Sequence, residues 1–238
     1  MQFLDLTLPT PEENLALDEA LLLEAEAGRG GDVLRFWEWS SPAVVLGAGC
    51  RLAQEVDETA CRADGVPILR RASGGGTVLL GAGCLCYTLV LAYARAPALT
   101  EIIPSYRWIL ERTGKALAGV VPEIAPAGTS DLAAAGRKFS GNSQQRKRTH
   151  LLHHGTLLYR MDLGLVGRYL PFPSRAPAYR RARDHADFLT NLPIGGDDLK
   201  RRLLHAWEAD TLRVLWPEML VAQLAGDKYT RPEWVRRR

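Results

Sequence analysis

The 238-residue chain predicts an α+β domain with a mixed, largely antiparallel sheet. Apolar runs of strand length cluster in the middle of the chain, and patterns of helical spacing flank them. Strands and helices do not alternate strictly, which argues against a doubly wound parallel sheet. No internal repeat is present, and the length suits one substantial core, or one domain with a small appendage, with a single domain over residues 1–238 expected.

The elements follow in order. Thr10-Pro11-Glu12-Glu13 has an N-cap, a proline at the first helical position and a glutamate at the third, so a capping box opens a helix running to Gly28. Val33–Trp39 and Ala43–Gly47 read as strands. Ile68–Ala92 holds two more around the turn Gly81–Gly83. Tyr106, Ile109, Leu110, Thr113 and Leu117 share one helical face after Pro104. Residues 119–130, rich in Pro, Ala and Gly, read as loop. Gly136–Tyr159 reads as a hairpin with a polar tip at Asn142–Thr149. Pro171–Arg183 reads as a Pro- and Arg-rich covering loop. A last helix runs from Asp198 through Trp207 and beyond, with Leu199, Leu203 and Trp207 four apart.

Composition narrows the function. Hydrophobic residues make up 47% and charged residues 24%, enough for one core and too ordered a mixture for wholesale disorder. A net charge of +3 is small for a dedicated nucleic-acid binder, so no nucleic-acid partner is expected. Ala72–Ala94 is uncharged and long enough to span a bilayer, but its glycines break it into strand-length pieces, so no membrane span is expected. The acidic N-terminus lacks the basic start of a signal peptide. Cys50, Cys61, Cys84 and Cys86 form neither a C-x-x-C pair nor a disulfide framework, which suits a reducing cytoplasm.

Two stretches carry candidate chemistry. Arg70-Arg71-Ala72-Ser73-Gly74-Gly75-Gly76-Thr77 sets two cations beside a backbone bare of side chains. Such a backbone can approach an anion or an extended ligand closely, at an entropic cost of roughly 0.5–1 kcal/mol per glycine. It is neither a P-loop nor a dinucleotide fingerprint. Gly136-Arg137-Lys138-Phe139-Ser140-Gly141 places a lysine between glycines, suited to phosphate oxygens. His153 and His154 are adjacent on a strand and point to opposite faces, so they do not share a metal ion. Cys84 and Cys86 lie in apolar surroundings that suppress thiol reactivity. The basic runs Arg146–Arg148 and Arg180–Arg183 are candidate docking points for an acidic partner.

In combination these stretches resemble the lipoate–protein ligase A branch of the biotin/lipoate protein ligase family. RRASGGGTV resembles its RRxSGGGxV signature, and TSDLAAAGRKFSGNSQ…HHGTLL its lysine block. PEENLALDEALL resembles the opening helix, LRFWEWSSPAVVLG the strand pair before the signature, and Lys228-Tyr229-Thr230-x-x-Glu233-Trp234 the close of the domain. The resemblance implies a fold related to the class II aminoacyl-tRNA synthetase core. It implies activation of lipoate or octanoate by ATP (with Mg²⁺) to an acyl-adenylate, then transfer to a lysine of a carrier domain. That carrier would belong to a 2-oxoacid dehydrogenase or be a glycine-cleavage H-type protein. Lys138 would be the catalytic lysine. Arg71 would sit near the carboxyl or phosphate end, and Ser73, Gly74, Gly75, Gly76 and Thr77 along the acyl chain and adenylate. Asp131 would lie near the nucleotide, and Ser140, Gly141, His154, Gly155 and Thr156 would complete the cleft; no metal ligands are implied. The family's VxHDxGNxxYS reads VLLGAGCLCYT here, with Leu80, Gly81 and Cys84 in place of its polar residues. The small C-terminal accessory domain of many ligases is expected to be absent, its role falling to a separate chain if to any. Two alternatives are an octanoyl or lipoyl transferase fed by an acyl carrier, and a non-catalytic paralogue that binds lipoyl groups or adenylates. Sister transferases of the first kind are expected to use a cysteine after the lysine block, and this chain has none beyond Cys86.

Overall fold

A computed structural model describes residues 1–237. Among the described residues eleven strands form two sheets. They are β1 (Gln2–Asp5), β2 (Val33–Glu38), β3 (Ala43–Leu46), β4 (Ile68–Arg70), β5 (Val78–Leu80), β6 (Cys84–Ala92), β7 (Ile124–Ala127), β8 (Asp131–Ala134), β9 (Arg137–Arg146), β10 (His150–Leu158) and β11 (Thr211–Leu212). The large sheet runs β11-β1-β2-β6-β10-β9-β8-β7, and the small one β4-β3-β5. Pairing is antiparallel except where β1 meets β2 and β11, and where β3 meets β4. The fold class is the α+β arrangement that the central cluster of apolar runs predicts.

Strand β6 shows why the middle of the chain reads as a continuous apolar run. Leu85, Tyr87, Leu89 and Leu91 face one core, while Cys84, Cys86 and Val90 face another. The large sheet is thus covered on both sides. Helices α2 (Ile102–Ala116) and α3 (Gly196–Trp207) cover the first face through Ile109, Leu110, Leu199, Leu203 and Trp207. Helix α1 (Pro11–Glu26) covers the second, together with the small sheet. The Thr10–Glu13 capping box forms as read, with the Thr10 hydroxyl accepting from the Glu13 amide at 3.2 Å. A further helix, α4 (Glu218–Leu224), lies against α1.

Four expectations need correction. Residues 124–127 are not loop but the edge strand β7, where Pro126 is tolerated because an edge leaves one side of the ladder free. The hairpin tip is shorter than 142–149, because β9 runs to Arg146 and stays paired with β10 up to Leu151. The last periodic helix begins at Gly196 and stops at Trp207, where Glu208 turns left-handed at φ 52°. Ile68–Ala92 holds three strands, not two: β4 and β5, on either side of the glycine triplet, belong to the small sheet, and β6, after Gly83, to the large. The short strands β1 and β11 carry no pattern that sequence spacing could pick out.

Candidate active site

The glycine ribbon, residues 73–77, leaves β4 and returns as β5 across the gap between the two sheets. Arg71 holds its shape. The guanidinium donates to the carbonyl oxygens of Gly74 (2.6 Å), Gly76 (2.8 Å) and Val45 (3.3 Å), and to the Ser73 hydroxyl (3.0 Å). Gly75 sits at φ +77°, open to glycine and strained for most other residues, and an added Cβ would stand 3.1 Å from the Arg71 guanidinium. Burial pulls the Arg71 pKa down to about 10, which leaves it a cation at neutral pH. Arg70 turns the other way and donates to the carbonyls of Gly47, Cys50 and Val235. The expectation that Arg70 offers its charge to a ligand is therefore corrected, whereas Arg71 lines the cleft while it braces the ribbon's backbone oxygens.

From the large sheet, two side chains reach back to the ribbon. The Ser143 hydroxyl donates to the Gly74 carbonyl at 2.8 Å. His154 Nε2 lies 2.5 Å from the Ser73 hydroxyl, and its Nδ1 lies 3.1 Å from Asp18 Oδ2. Asp18 also binds Arg35 at 2.5 Å, with both side chains buried. Burial raises the Asp18 pKa, but Arg35 and then His154 outweigh it and hold the carboxyl below its usual range.

Lys138 reaches the cleft from β9. Ala133 pairs with Lys138 and Leu132 with Ser140, so Phe139 is an extra residue in β9. Such a bulge re-aims the neighbouring side chain. Phe139 drops into the core while Lys138 lines the cleft. Its ammonium lies 2.9 Å from Asp131 Oδ1, and the Tyr179 phenol donates to Asp131 Oδ2 at 2.8 Å. Gly141 leaves space for this lysine: a Cβ there would stand 2.7 Å from Nζ. Beneath it, Asn142 accepts from Tyr87 at 2.5 Å and donates to the Ser130 carbonyl at 2.8 Å. Opposite Asn142 in the register stands Gly155.

Two contiguous cavities meet at Lys138 and Asp131. The first holds about 120 Å³ and is walled by Leu15, Trp37, Val45, Val78 and Leu80, with Arg71, His154 and Gly155 among its polar lining. The second, of about 330 Å³, is lined by Ser140, Met161, Phe188, Arg175, Arg180 and His185. Gly76, Thr77, Gly141 and Thr156 border both, whereas Gly75 lines only the first. Ser73 and Gly74 line neither cavity, Ser73 being buried and Gly74 exposed, and both are held by the hydrogen bonds already described.

Asp18, Asn142, Ser143 and Tyr179 join this cleft without having been singled out from the sequence. Asp18 left one trace, a carboxylate inside the apolar run LALDEALLL. The others sit in polar stretches that spacing does not distinguish. Cys86 lines the first cavity, and burial pushes its thiol well above 9. His153 and His154 do lie on opposite faces of β10: His153 is fully buried near Tyr87, Asn142 and Gln144. Among the described residues no three His, Cys, Asp or Glu side chains cluster as metal ligands, and no helix is long and apolar enough to cross a membrane. All four cysteines are free.

The expected docking points change. Arg146 turns inward to the Leu99 carbonyl, and Arg180 is buried between Phe172 and Phe188. Lys147, just past the end of β9, lies nine residues from Lys138, about 30 Å at roughly 3.3 Å per residue, at the far end of the hairpin.

The family model of the lipoyl protein ligase A/B catalytic domain matches residues 10–201. The octanoyltransferase LipM of Carboxydothermus hydrogenoformans is 32% identical over 264 aligned positions, covering 98% of this chain and 97% of that one. Among solved structures, the bipartite lipoate protein ligase of Thermoplasma acidophilum, studied with its E2 lipoyl domain, superposes with a TM-score of 0.82 at 21% identity over 99% of this chain and 95% of that one. A lipoate-protein ligase A bound with ATP gives 0.77 at 23% identity, over 99% of each chain. The chain belongs to the lipoyl protein ligase A/B catalytic family and has its class II synthetase-like fold. It is an enzyme of the kind that attaches lipoyl or octanoyl groups to proteins.

Proposed function

We propose that this enzyme activates lipoate or octanoate with ATP and passes the acyl group to a lysine of a lipoyl carrier domain. The observation that carries the reading is Lys138 at the junction of an apolar cavity and a larger one edged by Arg175, Arg180 and His185, with Cys86, the thiol in the wall of the first, kept protonated by burial. The apolar cavity suits a medium-chain tail along the ribbon. The larger one suits an adenylate, with Arg175 at its edge. In activation, the carboxylate oxygen attacks the α-phosphorus and pyrophosphate leaves. In transfer, the carrier's amine attacks the acyl carbon, AMP leaves, and the amine's proton passes to water or phosphate. Lys138 stabilises charge on the carbonyl and phosphate oxygens in both steps. Both oxygens of Asp131 already have donors, so Mg²⁺ is best read as arriving with the triphosphate of its substrate.

The cytoplasm remains the compartment proposed, on the strength of four free cysteines. A carrier of the 2-oxoacid dehydrogenase or glycine-cleavage type is the proposed acceptor, and organisation of residues 1–238 as one catalytic domain is likewise proposed.

Incubating the purified enzyme with MgATP and either acid should yield acyl-AMP and pyrophosphate, then an acylated lipoyl domain. Lys138→Ala should stop transfer. Absence of acyl-AMP with any medium-chain acid, with or without an added accessory chain, counts against the reading.

The full-length likeness to an octanoyltransferase favours a second reading, transfer from an acyl carrier thioester. Cys86 is the thiol in the cavity wall, with Cys84 beside it on the same strand face. Intact-mass measurement after mixing with octanoyl carrier protein would then show an acyl adduct lost in Cys86→Ala or Cys84→Ala. Unmodified mass removes this reading.

A further inference from the structure

We propose that Tyr179 is a positioning residue for Lys138, acting through Asp131; this rests on Lys138 being the group that meets the reacting acyl phosphate. The two oxygens of Asp131 are divided. Oδ1 pairs with the Lys138 ammonium at 2.9 Å, and Oδ2 accepts the Tyr179 phenol at 2.8 Å. Asp131 is buried, so its charge is weakly screened, and an Asp131 without the phenol would hold the ammonium more tightly. Transfer needs that ammonium to turn toward the carbonyl and phosphate oxygens. The phenol shares the carboxylate charge and loosens the competing grip.

Tyr179 is built to keep this bond. Its ring packs on Phe188 at 5.2 Å between centroids. The next residue, Arg180, lies over both Phe172 and Phe188, at 4.6 and 4.8 Å. Burial, and then the Asp131 charge, push the phenol pKa up, so it remains a donor throughout the working range. The segment around Tyr179 also walls the larger cavity through Pro173, Arg175, Pro177 and Arg180. One segment therefore contributes both the nucleotide-side wall and the donor that sets the lysine.

Tyr179→Phe removes the hydroxyl and keeps the ring. Single-turnover transfer from synthetic acyl-adenylate to a lipoyl domain should slow about tenfold, and in parallel steady-state assays kcat should fall while KM for the acid stays within about twofold. The effect should vanish in an Asp131→Asn background, because the two changes act on one contact. An unchanged rate, a rise in KM with kcat intact, or the same tenfold loss in the Asp131→Asn background overturns the proposal. Lys138→Ala run in parallel separates the two levels. If it transfers at the full rate, the functional reading falls and this inference with it. If it is silent while Tyr179→Phe is normal, the inference falls alone.

Discussion

Asp18 of α1 and His154 of β10 stand 136 positions apart and meet at 3.1 Å behind the glycine ribbon. Through His154 the contact reaches Ser73, and through Arg35 it is tied to β2. A helix, two strands and the ribbon thus converge on one buried carboxylate. Removing its charge would strand a buried guanidinium. Asp18→Asn should cost about 3–5 kcal/mol of stability, the scale for breaking one side of a buried pair. Denaturant midpoints for the two proteins would show it, and a loss under 1 kcal/mol would mean the pair is not integral to the fold.

His153 should make the enzyme acid-sensitive. Burial lowers its pKa to about 3, while the unfolded chain titrates near 6.5. The unfolded state therefore takes up the proton first as pH falls, so stability is complete above 6.5 and declines between 6.5 and 3. The slope is about 1.4 kcal/mol per pH unit. Between pH 7 and 5 the loss in His153→Gln should be smaller than in the wild type by about 2 kcal/mol. Equal losses would show that the imidazole titrates normally.

Gly141→Ala should separate catalysis from folding. The new methyl would displace the end of the flexible Lys138 side chain and meet little else. Transfer should fall on the order of tenfold to a hundredfold, as misplaced catalytic groups do, with a melting temperature near wild type. A large drop in melting temperature would mean the glycine serves the strand instead.

Docking of the carrier should depend on the cleft end of the molecule and not on the hairpin tip. Reversing Lys147 and Arg148 together should leave transfer unchanged, because the tip is about 30 Å from Lys138. Arg181→Glu, on the exposed segment beside the larger cavity, should raise KM for an acidic carrier several-fold and lower its salt dependence. Steady-state kinetics at two salt concentrations decide this, and the reverse pattern would place the carrier at the tip.

Local signals were legible where local chemistry suffices. The capping box of α1, the face of α2 and the apolar alternation of β6 depend on residues within a few positions of one another. Strands β1, β7 and β11 were not legible, being short edge or near-edge pieces whose existence depends on a partner far along the chain. At the site, the ribbon and Lys138 stood out through composition. The arginines were visible, but their targets were not, because the carbonyls they bind come from β3, the ribbon and residues near the C-terminus.

What the chain alone determined was the inventory: a glycine ribbon, a lysine between glycines, and paired strands to present them, since residue type and spacing follow from covalent order. What only the tertiary structure decided was direction. An extra residue in β9 aims Lys138 into the cleft, folding turns both arginines onto backbone oxygens, and Tyr179 reaches Asp131 from 48 positions away. Contacts of that kind form where sheets and segments distant in sequence close on one another, and no local pattern encodes their geometry.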